Sequence, residues 1–397
     1  MTELHFDLPG DLALPVEVYD TELRLVGRAL SEASVPVGPG TYFVEARLPD
    51  GSRLQRAVEV AGEAELRVSL GEAGRLLMTS HAASALPETF AEAYRLRGLS
   101  YGRTPAERAA RTPVARLAHY RVDGLTGWRQ VGEERVVARP GPLELPEAGV
   151  GALGLSVGGG TMAIVPIPGE RADLLRFALA QVAGSAKLEL RTRLDNDAGD
   201  ALLGFLGHDL VEDARLMATS PALSAEALLA GKAGDPIAAA AGAFALLRID
   251  DLDRLHDWTA NLANWFPWLP DGAVVRAEHL GRVGEHEAAA ELLCEVPRRG
   301  LPVLSVGLAV AVDRLRTYAA YWPEREELRE ALVTLSRYAL ATDPNRPVTT
   351  FSGADPDSPE PSDPRGGPDP GADHPQAEAL SVPAPAVVVA KEEKWYA

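Results

Sequence analysis

The chain has 397 residues, of which 46% are hydrophobic and 24% charged, enough for about two to four domains with buried cores. Its 57 acidic side chains against 39 basic ones give a formal charge of −18, which argues against a binder of nucleic acid or anionic membranes, because such proteins cluster lysine and arginine. The single cysteine, Cys294, excludes a disulfide framework and a multi-cysteine zinc site.

The sequence predicts neither a secretory signal nor a membrane helix. The first residues have no basic region and no apolar stretch. Residues 148–169 are uncharged, but they include seven glycines and two prolines, which a spanning helix would not tolerate well. We therefore expect a cytoplasmic protein, and the scarcity of lysine together with abundant alanine is typical of a GC-rich bacterial genome.

Residues 1–72 predict a small antiparallel β-sandwich, with short strands between turns such as Pro49-Asp50-Gly51. The segment Val35-Pro36-Val37-Gly38-Pro39-Gly40-Thr41-Tyr42-Phe43-Val44 resembles a hairpin of carboxypeptidase-regulatory-like and transthyretin-like β-sandwiches. In those families the tyrosine of the Gly-Thr-Tyr step packs into the sandwich. The resemblance implies a structural or binding module and brings no catalytic residues with it.

Residues 73–198 predict a second β-rich module. Residues 174–182 within it are assigned to a helix. The strands are predicted at 115–122, 127–131, 135–138, 152–157, 161–165 and 187–192.

The letters Gly154-Leu155-Ser156-Val157-Gly158 match a nucleophile elbow, which exposes a serine on a strand-to-helix turn. The elbow requires a helix to follow, whereas Gly158-Gly159-Gly160 leads into another predicted strand. We therefore favour a hairpin turn here. A serine hydrolase that uses Ser156 is the alternative.

An arginine-rich insertion reverses the general acidity of the chain. Between residues 95 and 121 seven arginines face one acid, Glu107, and Thr104-Pro105-Ala106-Glu107 is a helix-start signature. The stretch is either a dock for an anionic partner, since arginine binds carboxylate and phosphate well, or a solvated linker whose arginines pair with acids elsewhere. The candidate partner-binding arginines are Arg95, Arg97, Arg103, Arg108 and Arg111.

Residues 199–345 predict an α-helical domain with an internal repeat, so the predicted fold class of the chain is multi-domain α+β. A shift of 34 residues aligns Pro236 with Pro270 and Leu246 with Leu280. Proline at the start of each unit and short loops are typical of arrays of antiparallel helices.

This repeat resembles the tetratricopeptide family, whose units have that period. Gly284 and Ala288 match its small residues, whereas Asp250 and Arg254 depart from it in the first unit. The resemblance implies a helical surface that binds protein partners.

Three tryptophans lie close together in this domain. Trp258 and Trp265 are seven residues apart and share a helix face. We favour their filling the seam between helix pairs over an aromatic hot spot for a partner. Trp268 lies beyond that helix, and it is a candidate partner-binding residue or a further core residue.

The sequence predicts no metal site, cofactor or small-molecule site. No third ligand accompanies His279 and His286. Residues 195–200 lack the glutamate of a calcium loop, and Cys294 lies among apolar helix residues as an inert thiol does.

Residues 346–397 predict a disordered, acidic, proline-rich tail that ends in a docking peptide. Few apolar side chains are present over residues 352–378, so ordering would not be compensated by burial. A β-prone run and two aromatic residues follow, and a frayed end is the alternative. The residues assigned to partner binding are Val387, Val388, Val389, Trp395 and Tyr396.

These features favour binding over catalysis. We predict a non-catalytic protein-interaction scaffold, or a regulatory or accessory subunit of a bacterial multi-protein system of the effector or protease-linked kind, on architecture alone. Its partners would be proteins, bound by the helical array and the C-terminal peptide, and not nucleic acid or membrane. The alternatives are an enzyme with a site in residues 73–198 and a carbohydrate-binding or adhesion-type β-sandwich.

Overall fold

The computed structural model describes residues 1–8, 12–70, 114–122, 127–137, 140–143, 151–157, 161–167, 169, 171–181, 188–220 and 224–361. In this part of the chain β-sheets are followed by nine α-helices, which confirms the predicted α+β fold class. The arginines up to Arg111, the Gly158–Gly160 turn and the C-terminal docking peptide lie outside the described residues.

The N-terminal module is a sandwich of a four-stranded sheet, ordered β3-β2-β5-β6, and a three-stranded sheet, ordered β4-β1-β7. Buried residues of both sheets, such as Val16 and Val44 in one and Leu4 and Val68 in the other, form its core. One pairing differs from the antiparallel prediction, because β1 lies parallel to β7. The strands are β1 (Thr2–Asp7), β2 (Pro15–Tyr19), β3 (Leu25–Leu30), β4 (Val35–Val37), β5 (Gly40–Arg47), β6 (Arg53–Val60) and β7 (Glu65–Ser69).

The segment Val35–Val44 connects the two sheets and is not a hairpin within one of them. It supplies β4 to the smaller sheet and the start of β5 to the larger. Gly40, with φ of 155°, lies at this crossing. Tyr42 is half-buried, and its hydroxyl donates a hydrogen bond of 3.1 Å to the carbonyl oxygen of Gly38.

The second β region also has two sheets, ordered β15-β12-β11-β8-β9 and β10-β13-β14. The helix predicted over residues 174–182 is wrong, because Leu175, Phe177 and Leu179 are buried in alternation, as in a strand. The strands are β8 (Val114–Val122), β9 (Trp128–Val137), β10 (Gly141–Pro142), β11 (Ala152–Val157), β12 (Met162–Pro166), β13 (Leu175–Gln181) and β14 (Leu188–Leu194), with β15 (Phe351–Gly353) from much later in the chain.

Strand β15 corrects the predicted start of the tail at residue 346. Phe351 is 2% exposed and packs edge-on against Tyr338, and Met162 to Ile164 of β12 pair with residues 351–353. The chain therefore returns from its last helix to the β region at residues 351–353.

The helical region begins after β14. Residues 202–217 belong to two helices, because the chain turns at Asp209, where φ is 57°. Similarly, a short 3-10 turn at Leu252–Leu255 precedes α5. The helices are α1 (Asp197–Gly207), α2 (Val211–Ala218), α3 (Ala225–Ala230), α4 (Pro236–Arg248), α5 (Trp258–Trp265), α6 (Pro270–Arg282), α7 (His286–Arg299), α8 (Ser305–Tyr321) and α9 (Glu326–Ala341).

Helices α4 to α9 follow one another as three units of two helices, which confirms the predicted helical array. Helix α6 packs against α7 and α8 against α9, whereas in the first unit α4 packs mainly against α3 and α5 mainly against α6. The first helix of each pair begins at residue 236, 270 or 305, so the spacing stays close to the predicted period. Gly284 has φ of 91° in the turn of the second pair, and Asp250 takes φ of 60° at the matching turn of the first. In the first pair the Asp250 carboxylate accepts a hydrogen bond of 2.9 Å from Arg282.

The N-terminal sandwich packs directly on the first helices. A Cβ atom at Gly204 of α1 would lie 2.6 Å from the carbonyl oxygen of Pro49, so glycine permits this close approach. Asp213 of α2 binds Arg28 of β3 at 2.6 Å. Residues 1–362 accordingly form one compact unit. None of the helices in the described ranges is long and apolar enough to cross a membrane.

Candidate functional site: an arginine and tryptophan cleft

A cleft of about 260 Å³ lies between the five-stranded sheet and the last two helix pairs. We call it the sheet–helix cleft. The sheet side and its connections supply Arg121, Trp128, Gly151, Pro166, Ile167 and Gly169. The helical side supplies Trp268, Pro270, Pro297, Arg298, Arg299, Gly300, Leu301, Thr334, Leu335 and Tyr338.

Trp268 forms one wall because the chain leaves α5 just before it. Its ring lies edge-on to Phe266, with 5.9 Å between the ring centroids. The other side of the ring lies so close to Gly169 that a Cβ atom there would be 2.6 Å from it. Trp268 is therefore held between the helical array and the β12–β13 connection, half-buried and facing the cleft.

Two further aromatic residues, Trp128 and Tyr338, also line the cleft. The Tyr338 hydroxyl donates a hydrogen bond of 3.0 Å to the carbonyl oxygen of Pro356. Burial raises the pKa of Tyr338, and the nearby Asp357 carboxylate adds to that rise. Asp357 also accepts a hydrogen bond of 3.1 Å from the backbone N–H of Trp128, so the segment after α9 fixes both aromatic residues.

Three arginines line the cleft. Arg299 is fixed by the structure, because it donates to the carbonyl oxygen of Ala263 at 2.7 Å and to Glu295 at 2.8 Å. Arg298 and Arg121 are exposed. None of the sixteen lining residues is acidic. Such a surface can bind an anionic group beside an apolar one, as arginine forks and aromatic walls do in protein interfaces.

Substitution of Gly169 by alanine is expected to disturb the Trp268 wall. Its φ of 56° disfavours any side chain, and the added methyl group would overlap the indole ring. We expect a loss of about 1–3 kcal/mol in the free energy of unfolding and a shifted tryptophan emission. Gly127, with φ of 107° and no atom within 4 Å of the position that a methyl group would take, is the control for the backbone effect alone. An unchanged emission in Gly169→Ala would contradict the packing described.

Ser156 does not lie on a nucleophile elbow. It is within strand β11, paired with Arg116 of β8, and its side chain is 4% exposed. The next element is the antiparallel strand β12, as the hairpin interpretation predicts, and not a helix. The structure thus offers no support for the serine hydrolase alternative at this residue.

Lys232 explains the position of the two other tryptophans. Its ammonium lies 4.9 Å from the Trp258 ring centroid and 5.4 Å from that of Trp265. Trp265 is 58% exposed, so its assignment to the helix seam is wrong. The cation–π contact with the buried Lys232 positions Trp265. This contact joins residues that are distant in the sequence and leaves no local sequence signal.

The other candidate reactive side chains among the described residues, those of Thr259, His279 and Cys294, have structural roles. Thr259 is hydrogen-bonded to His279 Nδ1 at 2.9 Å, but Thr259 is fully buried, and burial lowers the pKa of His279. Burial raises the pKa of Cys294, so this thiol is not an activated one. Across the described ranges no three His, Cys, Asp or Glu side chains are grouped to hold a metal ion.

The sandwich lacks the row of aromatic side chains expected of a carbohydrate-binding module. Within residues 1–8 and 12–70, Phe43 is the only exposed aromatic side chain, whereas Phe6 is buried and Tyr19 and Tyr42 are half-buried.

Of the predicted partner-binding residues, Trp268 belongs to the sheet–helix cleft. Arg95, Arg97, Arg103, Arg108 and Arg111 lie outside the described residues, as do Val387, Val388, Val389, Trp395 and Tyr396. Sequence reasoning missed Trp128, Arg298, Arg299 and Tyr338, because a period of hydrophobic residues does not reveal which segments meet across a cleft. The adjacent arginines at the end of α7 were the one available signal.

The helical half of the chain is similar to a described protein family. Residues 201–389 match the family described as the Y4kD C-terminal domain, and the match includes α2 to α9 and strand β15. A protein of a Desulfuromonadales bacterium named as a probable protease is 31% identical over 100 residues, which are 25% of this chain. The match spans 12% of the length of that curated relative.

Proposed function

We propose that this protein is a non-catalytic interaction subunit that binds a segment of a protein partner in the sheet–helix cleft. The convergence of Trp128, Trp268 and Tyr338 on one cleft with three arginines is the observation that carries the proposal. Aromatic residues and arginine dominate binding energy at protein interfaces when they lie in packed pockets. The array of helix pairs beside the cleft adds a surface suited to an extended segment.

The size of the cleft supports a peptide anchor better than a large cofactor. A volume of 260 Å³ lies below the usual range of about 300–1,000 Å³ for small-molecule sites. It can hold one or two side chains of a partner, while the neighbouring surface binds the rest. The predicted C-terminal docking peptide, with Val387 to Val389, Trp395 and Tyr396, would be a second contact of the same subunit with a partner.

A role in a proteolytic system is the second candidate. It is favoured by the similarity to a probable protease. The two described hydroxyl groups discussed above as candidate nucleophiles, those of Ser156 and Thr259, are both buried. In this candidate the chain would bind a protease or its substrate and would not cleave it.

The proposal is tested by capture of the partner from the source cells with the full chain and two variants. Trp268→Ala should lower capture about tenfold or more, which corresponds to the loss of one anchor residue. Trp265→Ala removes an exposed tryptophan outside the cleft and should capture the partner as the wild type does. Circular dichroism confirms that each variant is folded. Equal capture by folded Trp268→Ala would contradict the proposal.

A further inference from the structure

We infer that the partner segment bound in the sheet–helix cleft is acidic, with a carboxylate held by Arg298 and an apolar side chain beside the aromatic walls. This inference rests on the proposed function and gives the chemical class of the partner segment.

The composition of the cleft is opposite to that of the chain. Acidic residues outnumber basic ones by 57 to 39, yet the sixteen lining residues include three arginines and no acid. An acidic protein that maintains a positive cleft favours anionic ligands at that place, because like-charge contacts elsewhere on the surface repel them.

Arg298 is the arginine that is available to a ligand. Its neighbour Arg299, at the end of α7, already donates hydrogen bonds to the carbonyl oxygen of Ala263 and to the Glu295 carboxylate. Arg298 is exposed, and no carboxylate of the described residues lies within ion-pair distance of it. Arg298 contributes to the lowered pKa of Glu327, but that carboxylate is already held by Arg325 at 2.8 Å.

The aromatic and proline residues make the arginine charge more effective. Trp268, Pro297 and Leu301 line the same cleft as the guanidinium groups and place apolar surface beside them. An ion pair is stronger beside such apolar surface than in open solvent. A purely apolar segment would form no ion pair with Arg298, and a basic segment would be repelled by its positive charge.

The test is a selection of random peptides, displayed on phage, against the full chain. The wild type should recover peptides rich in Asp and Glu with an apolar or aromatic residue between them, and Arg298→Gln should lose that enrichment. The control is Arg316→Gln, because Arg316 is 68% exposed on α8 and pairs weakly with Asp313 at 3.7 Å outside the cleft. A recovered peptide should bind Arg298→Gln about tenfold more weakly than it binds the control.

The outcomes separate the two proposals. Recovery of neutral or basic peptides whose binding requires Trp268 would overturn the inference and leave the proposed function intact. Equal affinity for a recovered peptide and for the same peptide with Gln and Asn in place of Glu and Asp would also overturn the inference and leave the proposed function intact. Displacement of the peptide by a short single-stranded oligonucleotide, with the same dependence on Arg298, would show a general polyanion site and also overturn it. Failure to recover any peptide that requires Trp268 would count against the proposed function itself.

Discussion

Replacement of Asp271 by alanine is expected to lower the free energy of unfolding by about 2–5 kcal/mol. Asp271 is fully buried in the first turn of α6, and its two carboxylate oxygens accept the backbone N–H groups of Val303 at 2.7 Å and Leu304 at 3.1 Å. Alanine would leave both donors buried without a partner, at about 1–3 kcal/mol each. Because these residues precede α8, the substitution loosens the third helix pair from the second. Urea unfolding measures the loss.

The same carboxylate should make stability depend on pH. Burial raises the pKa of Asp271 to about 7 from an ordinary value near 3.8. The folded state therefore holds the Asp271 proton more tightly than the unfolded state does. The stability that this protonation adds is fully present below about pH 4 and is lost as the pH rises through about 7. Asp271→Asn should remove this component of the pH dependence.

For the loss of stability in Asp271→Ala, the matched control is Asp313→Ala, which changes a carboxylate that is 79% exposed and should alter stability by less than about 0.5 kcal/mol. Stability of Asp271→Ala within that limit would contradict the assignment.

Replacement of Asp213 by alanine is expected to weaken the attachment of the N-terminal sandwich to the helices. The Asp213 side chain is 1% exposed and pairs with Arg28 at 2.6 Å and Arg47 at 3.5 Å. Removal of one partner from a buried ion pair leaves uncompensated charge, and the partial exposure of both arginines limits the cost to about 2–4 kcal/mol.

The measurement exploits the distribution of tryptophan. No tryptophan lies in the sandwich. Trp128 is in the second β region, four are in the helical region (Trp258, Trp265, Trp268 and Trp322), and Trp395 lies outside the described residues. The fluorescence therefore does not report the sandwich directly. Asp213→Ala should shift the urea midpoint of this fluorescence, because the sandwich and helices form one compact unit. Glu212→Ala, on the same helix and 65% exposed, should leave it in place. An unshifted midpoint in Asp213→Ala would show that the sandwich contributes nothing to the stability of the helices.

The sequence was informative where the pattern is local. Proline at helix starts and the shift of 34 residues predicted the helical array, because both signals lie within or between neighbouring helices. The alternation of Leu175, Phe177 and Leu179 was available but was outweighed by the helix-forming residues around them. Strand β15 escaped prediction because its three residues gain their stability from β12, which is distant in the sequence.

The sheet–helix cleft was beyond prediction for a related reason. Its walls come from segments around residues 121–128, 151–169, 268–270, 297–301 and 334–338, and no local period connects them. The same holds for Arg28 and Asp213, which are 185 positions apart. Trp268 was identified as a candidate because it follows a helix end, where a large aromatic residue has no core position of its own repeat to fill.

Site-specific photo-crosslinking tests the central claim most directly. A photoreactive phenylalanine analogue at Thr334, which lines the cleft, should crosslink the captured partner, and mass spectrometry should identify the attached segment as an acidic one. The same analogue at the adjacent Val333, which is 58% exposed and does not line the cleft, should give little or no crosslink. Equal crosslinking at both positions, or crosslinking at Val333 alone, would contradict the assignment of the cleft as the binding site.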